Sequence, residues 1–317
     1  MTETTAVLIP EFGAPDVLQV GTVQVRPAGA GEVRIAVQAA AINPTDIATR
    51  SGLVAAAYAG FTPPYIAGMD AAGTIESVGA GVTRFSPGDP VMAIVMPRRP
   101  EGGAHAALIV VPEAAVVPIP DGLSVEQAAM LPMNGLTALE ALACLDLSPG
   151  ETLGITGGAG YLSAFVTVLA KRAGLTVIAD ARPDDHDTLR TRGVDIVVDR
   201  GPKVAQRFSE AAGGGLDAVL DTALIGAELF DALRDGGRLG AVRTFDTPAP
   251  RGISVRPIWV RERLLDTAGL MELSALAGDG AFDFLDVTAR FRPEQAADAH
   301  RSVEAGGLRG RPLIIFE

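Results

Sequence analysis

The stretch Thr152-Leu153-Gly154-Ile155-Thr156-Gly157-Gly158-Ala159-Gly160-Tyr161-Leu162-Ser163 decides the fold of this chain. Residues 152–156 read as a short apolar strand, the glycines break it, and Leu162 opens a helix. One glycine at such a junction lets the chain turn sharply, and a second lets backbone N–H groups approach a pyrophosphate. The helix start adds unsatisfied donors and a dipole that favours an anion. Gly158 and Gly160 match the first two positions of a G-x-G-x-x-G fingerprint, and Ser163 stands where the third belongs. Serine is small enough for close helix–strand packing. Tyr161 brings a bulky ring beside the phosphate position and must point away or stack on a neighbour. Gly157, Gly158, Ala159, Gly160, Tyr161 and Leu162 are the candidate cofactor cradle. Taken alone, the same loop also fits a glycine-rich turn that holds no nucleotide.

Outward from this loop the pattern alternates. Strands are read at 152–156, 176–179, 196–198, 218–221 and 238–242, with helices at 162–173, 184–191, 204–212 and 228–233 between them. Short apolar strands alternating with helices predict a parallel sheet covered on both faces. In such a sheet the end of the second strand selects the cofactor. An acidic residue there binds the ribose 2′-hydroxyl, whereas arginine accommodates a 2′-phosphate. The sequence offers both, Asp180 and Arg182, and the strand register leaves either open.

Upstream, residues 1–121 are strand-rich. Alternation at 17–25 and 33–41, a two-residue rhythm at 68–82, and apolar runs at 91–95, 104–111 and 115–118 predict a barrel- or sandwich-like domain. Asn43-Pro44-Thr45-Asp46 interrupts it and starts a short helix, with Asn or Thr as cap. Downstream, a helix is read over 262–277, then a strand at 286–291, a helix at 293–305 and a strand at 311–316, which return to complete the first domain.

Composition narrows the function. The 317 residues carry a net charge of −12 with no basic stripe, against a nucleic-acid partner. The one cysteine, Cys144, cannot form an intrachain disulfide, and His105, His186 and His300 lie far apart, so no metal site is read. No apolar stretch reaches the ~20 residues that span a bilayer. The first residues lack a basic segment followed by an apolar run, so no signal peptide is read and a cytoplasmic protein is expected.

Several segments together resemble the medium-chain dehydrogenase/reductase superfamily, in its zinc-independent quinone oxidoreductase-like branch. They are Pro27–Val33, Ala41–Asp46, Gly68–Gly73, Val78–Phe85, Pro87–Asp89, Leu131–Ala138, and the closing Ala296–His300 with Gly310-Arg311. The resemblance implies a GroES-like catalytic domain built from both ends of the chain (1–121 and 266–317) with a Rossmann domain inserted at 122–265. It implies an active site in the cleft between them and homodimers formed by edge-to-edge pairing of Rossmann sheets. The implied reaction is hydride transfer from NADPH, in preference to NADH, to a quinone or to the C=C bond of an α,β-unsaturated carbonyl. The zinc-dependent branch has a cysteine where this chain has Asn43, and a four-cysteine loop that is absent here. Within the branch's pattern Asn43 and Asp46 lie on the nicotinamide side and Thr137 close to the ring. Arg182 faces a 2′-phosphate, and Arg311 matches a basic residue near the chain end.

Asn43, Tyr58 and Thr137 are therefore the candidate catalytic residues, as donors where negative charge grows on a carbonyl. Tyr58, in the loop 52–64, is also a candidate proton source. Each has a plain structural alternative: Asn43 as a turn cap, Asp46 as a cap or partner of Arg50, Tyr58 as a buried ring. Asp70, His105 and His300 read as structural. Two other functional readings stay open: a pathway-specific biosynthetic enoyl or ketone reductase, and a non-catalytic nucleotide-sensing or structural protein. Only Tyr161 and Ser163 support the last.

Overall fold

The computed structural model describes the whole chain, Met1–Glu317. Two compact units form: Met1–Met133 together with Arg263–Glu317, and Asn134–Glu262.

The first unit is strand-rich. Strands β1 (Thr2–Leu8) and β2 (Gln19–Val25) pair with each other. Then come β3 (Glu32–Ala41), helix α1 (Pro44–Ser51), β4 (Asp70–Val78), β5 (Pro90–Ile94), β6 (Leu108–Pro112), β7 (Val116–Pro118) and the short helix α2 (Val125–Ala128). Helix α3 (Pro132–Leu145) leads into the second unit. That unit holds β8 (Thr152–Ile155), α4 (Tyr161–Arg172), β9 (Thr176–Ala181), α5 (His186–Thr191), β10 (Ile196–Asp199), α6 (Val204–Ala211), β11 (Leu216–Asp221), β12 (Leu233–Ala241) and β13 (Ser254–Pro257). The chain then returns to the first unit with α7 (Thr267–Gly278), β14 (Val287–Phe291), α8 (Ala296–Glu304) and β15 (Arg311–Ile315).

In the first unit the sheet runs β14-β15-β3-β4-β5-β7, with β6 also on β3. The alternation read at 33–41 is real: Val33, Ile35 and Val37 point into a core with Ile75, Val91, Ile109 and Ile314. Strand β15 lies antiparallel to β3, pairing Leu313 with Ala41, so the end of the chain abuts the segment that enters α1. That register sets up the site described below. At Gly73 the two strands β3 and β4 shift register.

The second unit is a parallel six-stranded sheet in the order β10-β9-β8-β11-β12-β13. Its strands are short apolar runs such as Val177-Ile178-Ala179 and Val219-Leu220, all fully buried, as expected of a sheet covered on both faces. The strand order reverses between β8 and β11, which creates a crevice beyond their carboxyl ends where doubly wound sheets bind ligands.

Two sequence readings need correction. Residues 228–233 do not form an α-helix: Gly226–Ala232 is a 3₁₀ segment and Leu233 already pairs with Leu216 as the start of β12. The helix read from 262 begins only at Thr267. The Asp266 side chain accepts from the Gly269 N–H at 2.9 Å, and this cap fixes the start. Val260–Arg263 is a separate 3₁₀ turn.

Gly73 illustrates how tightly the first sheet is closed. A Cβ there would lie 2.0 Å from the Ala36 carbonyl oxygen, which is backbone and cannot step aside. Gly73→Ala is expected to destabilise the protein by about 1–3 kcal/mol, read as a lower urea midpoint; an unchanged midpoint would contradict the close approach.

Candidate functional site

In the second unit the loop between β8 and α4 is a built cradle. Gly157 has φ +63°, a conformation suited to glycine. At Gly158 a Cβ would meet the Ala179 and Leu189 side chains at 2.7 and 2.8 Å and the Asp180 carbonyl at 2.9 Å. The loop is thus pressed onto the end of β9, and only a residue without a side chain fits there. Asp180 completes the contact: its carboxylate accepts from the Gly157 N–H and its carbonyl from the Gly158 N–H.

The other wall is stitched just as closely. The Thr156 hydroxyl donates to Asp221 (2.8 Å) and accepts from the Ala223 N–H (2.9 Å). Ser163 Oγ lies 3.1 Å from Thr222 Oγ1, which itself donates to the Thr156 carbonyl. Ser163 is fully buried, so the missing third glycine is replaced by a small residue that ties α4 to the loop after β11. The Tyr161 ring is buried and meets Phe165, one helical turn on, edge to face at 5.3 Å. It stacks, as its position demanded. Neither departure from the fingerprint obstructs the loop, and a dinucleotide pyrophosphate fits this cradle of glycines at the start of α4.

The structure also fixes the register at the end of β9. Asp180 is a buried strand residue, engaged with the loop, and burial pushes its carboxyl above the usual carboxylate range. Ala181 is buried too. Arg182 follows, exposed, with no hydrogen bond or ion pair for its guanidinium.

In the first unit a second polar group forms around Asn43, the N-cap of α1. Pro44 at the first helical position and the Asp46 carboxylate, which accepts from the Asn43 N–H at 2.7 Å, start the helix. The other Asp46 oxygen accepts from the Gly68 N–H at 2.9 Å. The Asn43 side-chain amide donates to Asp70 at 2.7 Å, and its oxygen accepts from Arg311 Nε at 2.8 Å. Asp70 also accepts from the Met133 N–H at 2.6 Å. Asn43, Asp46 and Asp70 are almost wholly buried. Burial pushes the Asp70 carboxyl up to about 7, with the neighbouring Asp46 charge adding to the shift, and raises Asp46 as well.

Asn43 and Arg311, read separately in the sequence, are therefore brought together. Asp70 was read as structural, and its direct bond to Asn43, 27 residues away, was missed. A carboxylate inside the Gly68–Gly73 segment was the only signal. Asp46 does cap α1; Arg50 pairs instead with Glu304. Thr137 belongs to the second unit, buried in α3. Tyr58 is 3 % exposed, with its hydroxyl 3.4 Å from Thr49 and its ring packed among Phe12, Phe61 and Tyr65. Tyr58, Phe61 and Tyr65 border a pocket of about 440 Å³ within the first unit, which Pro97, Arg99 and Glu101 also line. Cys144 donates its thiol hydrogen to Glu140. No group of three or more His, Cys, Asp or Glu side chains is arranged to hold a metal ion, and no helix is long and apolar enough to cross a membrane.

Known proteins match this architecture. The alcohol dehydrogenase GroES-like domain family matches residues 29–121. Pikromycin polyketide synthase component PikAII of Streptomyces venezuelae is 31 % identical over 313 residues, covering 93 % of this chain; the chain spans 8 % of that protein's length. The quinone oxidoreductase of Coxiella burnetii superposes with a TM-score of 0.84 at 26 % identity, over all of both chains. Mycobacterial Rv1454c, solved in complex with NADPH, superposes with a TM-score of 0.81 at 26 % identity, over 98 % of this chain and all of the other.

The Asp70 shift has a pH consequence. An aspartate titrates at ~3.9 when unfolded, so between that value and about 7 the native state keeps a proton that the unfolded state releases. Stability is lost as pH rises through this window. Asp70→Asn has no such proton, and its deficit in unfolding midpoint against the wild type is expected to shrink between about pH 4 and 7. A constant deficit would contradict the raised carboxyl.

Proposed function

We propose that this chain, a member of the medium-chain dehydrogenase/reductase superfamily in its zinc-independent quinone oxidoreductase branch, is an NAD(P)H-dependent oxidoreductase that uses NADPH to reduce a quinone or the C=C bond of an α,β-unsaturated carbonyl. The observation that carries the cofactor choice is the position of Asp180. One oxygen of its carboxylate accepts from the Gly157 N–H, which turns this buried acidic group toward the loop. The next exposed side chain on this strand end is the unpaired cation Arg182. Arginine there accommodates a 2′-phosphate.

Bound NADPH would supply a hydride to an electron-poor carbon. The protein's share is to bind, orient and polarise. Gly157, Gly158, Ala159, Gly160, Tyr161 and Leu162 would cradle the pyrophosphate. Asn43, its amide sense fixed by Asp70 and Arg311, is assigned to holding the polar cluster in place on the nicotinamide side. Thr137 is the second polar group assigned to that side, as donor to the oxygen on which negative charge grows. Tyr58 is assigned to the wall of the substrate pocket and not to proton delivery, because its hydroxyl is buried against Thr49 and burial raises its pKa. Water then supplies the proton. A homodimer is part of the same proposal.

The likeness to PikAII, a polyketide synthase component, favours a second reading, a pathway-specific biosynthetic enoyl or ketone reductase with one preferred substrate. The non-catalytic alternative has lost its support, since Tyr161 and Ser163 are both accommodated by packing. A panel of quinones, enones and enoyl thioesters, followed by NADPH consumption, separates the readings. Turnover with quinones or simple enones is expected, faster with NADPH than with NADH. Turnover confined to one enoyl thioester would favour the second reading, and cofactor binding without any turnover would contradict both. A general acid contributes about 10²–10⁴-fold, so Tyr58→Phe is expected to keep most of kcat; a loss of that size would reinstate Tyr58 as proton donor.

A further inference from the structure

Arg200 was not singled out by any sequence pattern; it stands 18 positions after Arg182. The sheet removes that distance. In the β9–β10 pairing Asp199 is opposite Ala181, and the Arg200 N–H donates to the Ala181 carbonyl at 2.9 Å. Arg200 is therefore hydrogen-bonded to the residue that directly precedes Arg182, at the end of the strand where the adenosine ribose of a dinucleotide lies in this fold. Its side chain is exposed and has no hydrogen bond or ion pair of its own. Its charge also acts on the buried Asp180 carboxyl, favouring the ionised form against the burial that raises it.

The turn that carries Arg200 is braced from behind. Arg207, on α6, donates through Nε to the Asp199 carbonyl at 2.7 Å and through Nη2 to the Gly201 carbonyl at 3.2 Å, gripping the backbone on both sides of Arg200. The Asp199 carboxylate, the nearest anion in sequence, lies 3.3 Å from His186 Nε2 and is turned to that ring. Two exposed cations without partners thus flank one strand end, mounted on adjacent strands, in a chain whose net charge is −12.

We propose that Arg200 is a second cofactor-selecting residue, which closes on the 2′-phosphate of NADPH from the β10 side while Arg182 meets it from the β9 side, with Arg207 positioning the turn. The proposal rests on the NADPH reading above. It goes beyond it in assigning selectivity to two arginines from different strands. Each would contribute a charge-assisted hydrogen bond to a group that NADH lacks.

The test is fluorescence titration of the full chain with NADPH and with NADH, for the wild type, Arg182→Gln, Arg200→Gln, and Arg190→Gln as a charge-loss control on the nearby α5. Arg200→Gln is expected to weaken NADPH about tenfold, the effect of one such bond, and to leave NADH nearly unchanged, which also reports that the fold is intact. Arg190→Gln should alter neither. If the wild type prefers NADPH and Arg182→Gln abolishes the preference while Arg200→Gln retains it, Arg200 is overturned and the NADPH reading stands. If the wild type binds both cofactors equally, both assignments fall. Equal weakening by Arg190→Gln and Arg200→Gln would reduce the effect to net charge and overturn the specific contact.

Discussion

The contact between Asp180 and the glycine loop is the constraint on which the cofactor half of the molecule turns. One residue binds two consecutive N–H groups, Gly157 through its carboxylate and Gly158 through its carbonyl. That grip presses the loop so close to β9 that position 158 has no room for a side chain. The same grip turns the Asp180 carboxylate toward the loop. In the proposed reading, loop shape and cofactor choice share this one cause. Burial raises the Asp180 carboxyl, and the two backbone N–H donors offset part of that penalty.

The first unit rests on a comparable economy of polar groups. Asn43 with Asp46, Asp70 and Arg311 come from three separate segments, yet each satisfies another. The antiparallel pairing of β15 with β3 delivers Arg311, and the start of α1 delivers Asp46. Burying such groups is costly unless each finds a partner. The linked carboxylate and guanidinium fix the sense of the Asn43 side chain.

Much of this was legible in the sequence. The strands of the Rossmann sheet, the glycine loop, the start of α1 at Asn43 and the strand ending the chain all follow from local patterning of apolar residues, glycines and caps. What was not legible is long-range. The partnership of Asn43 with Asp70 depends on strand pairing, and so does the adjacency of Ala181 to Arg200. Local signals also failed where two devices competed. Apolar periodicity continued through Asp266, but its side chain caps the helix that follows and sets a boundary the periodicity did not mark. At Leu233 the helical run gave way to pairing with Leu216. Which of Asp180 and Arg182 is buried in the strand and which is exposed at its end hung on one residue of register, which only the sheet could fix.

The most direct measurement is a crystal structure of the NADPH complex. The expected result is a pyrophosphate against the backbone of residues 157–162, with the Asp180 carboxylate still on the Gly157 N–H and an arginine on the 2′-phosphate. A cofactor bound elsewhere, or an Asp180 carboxylate released from Gly157 and turned onto the ribose, would contradict the account.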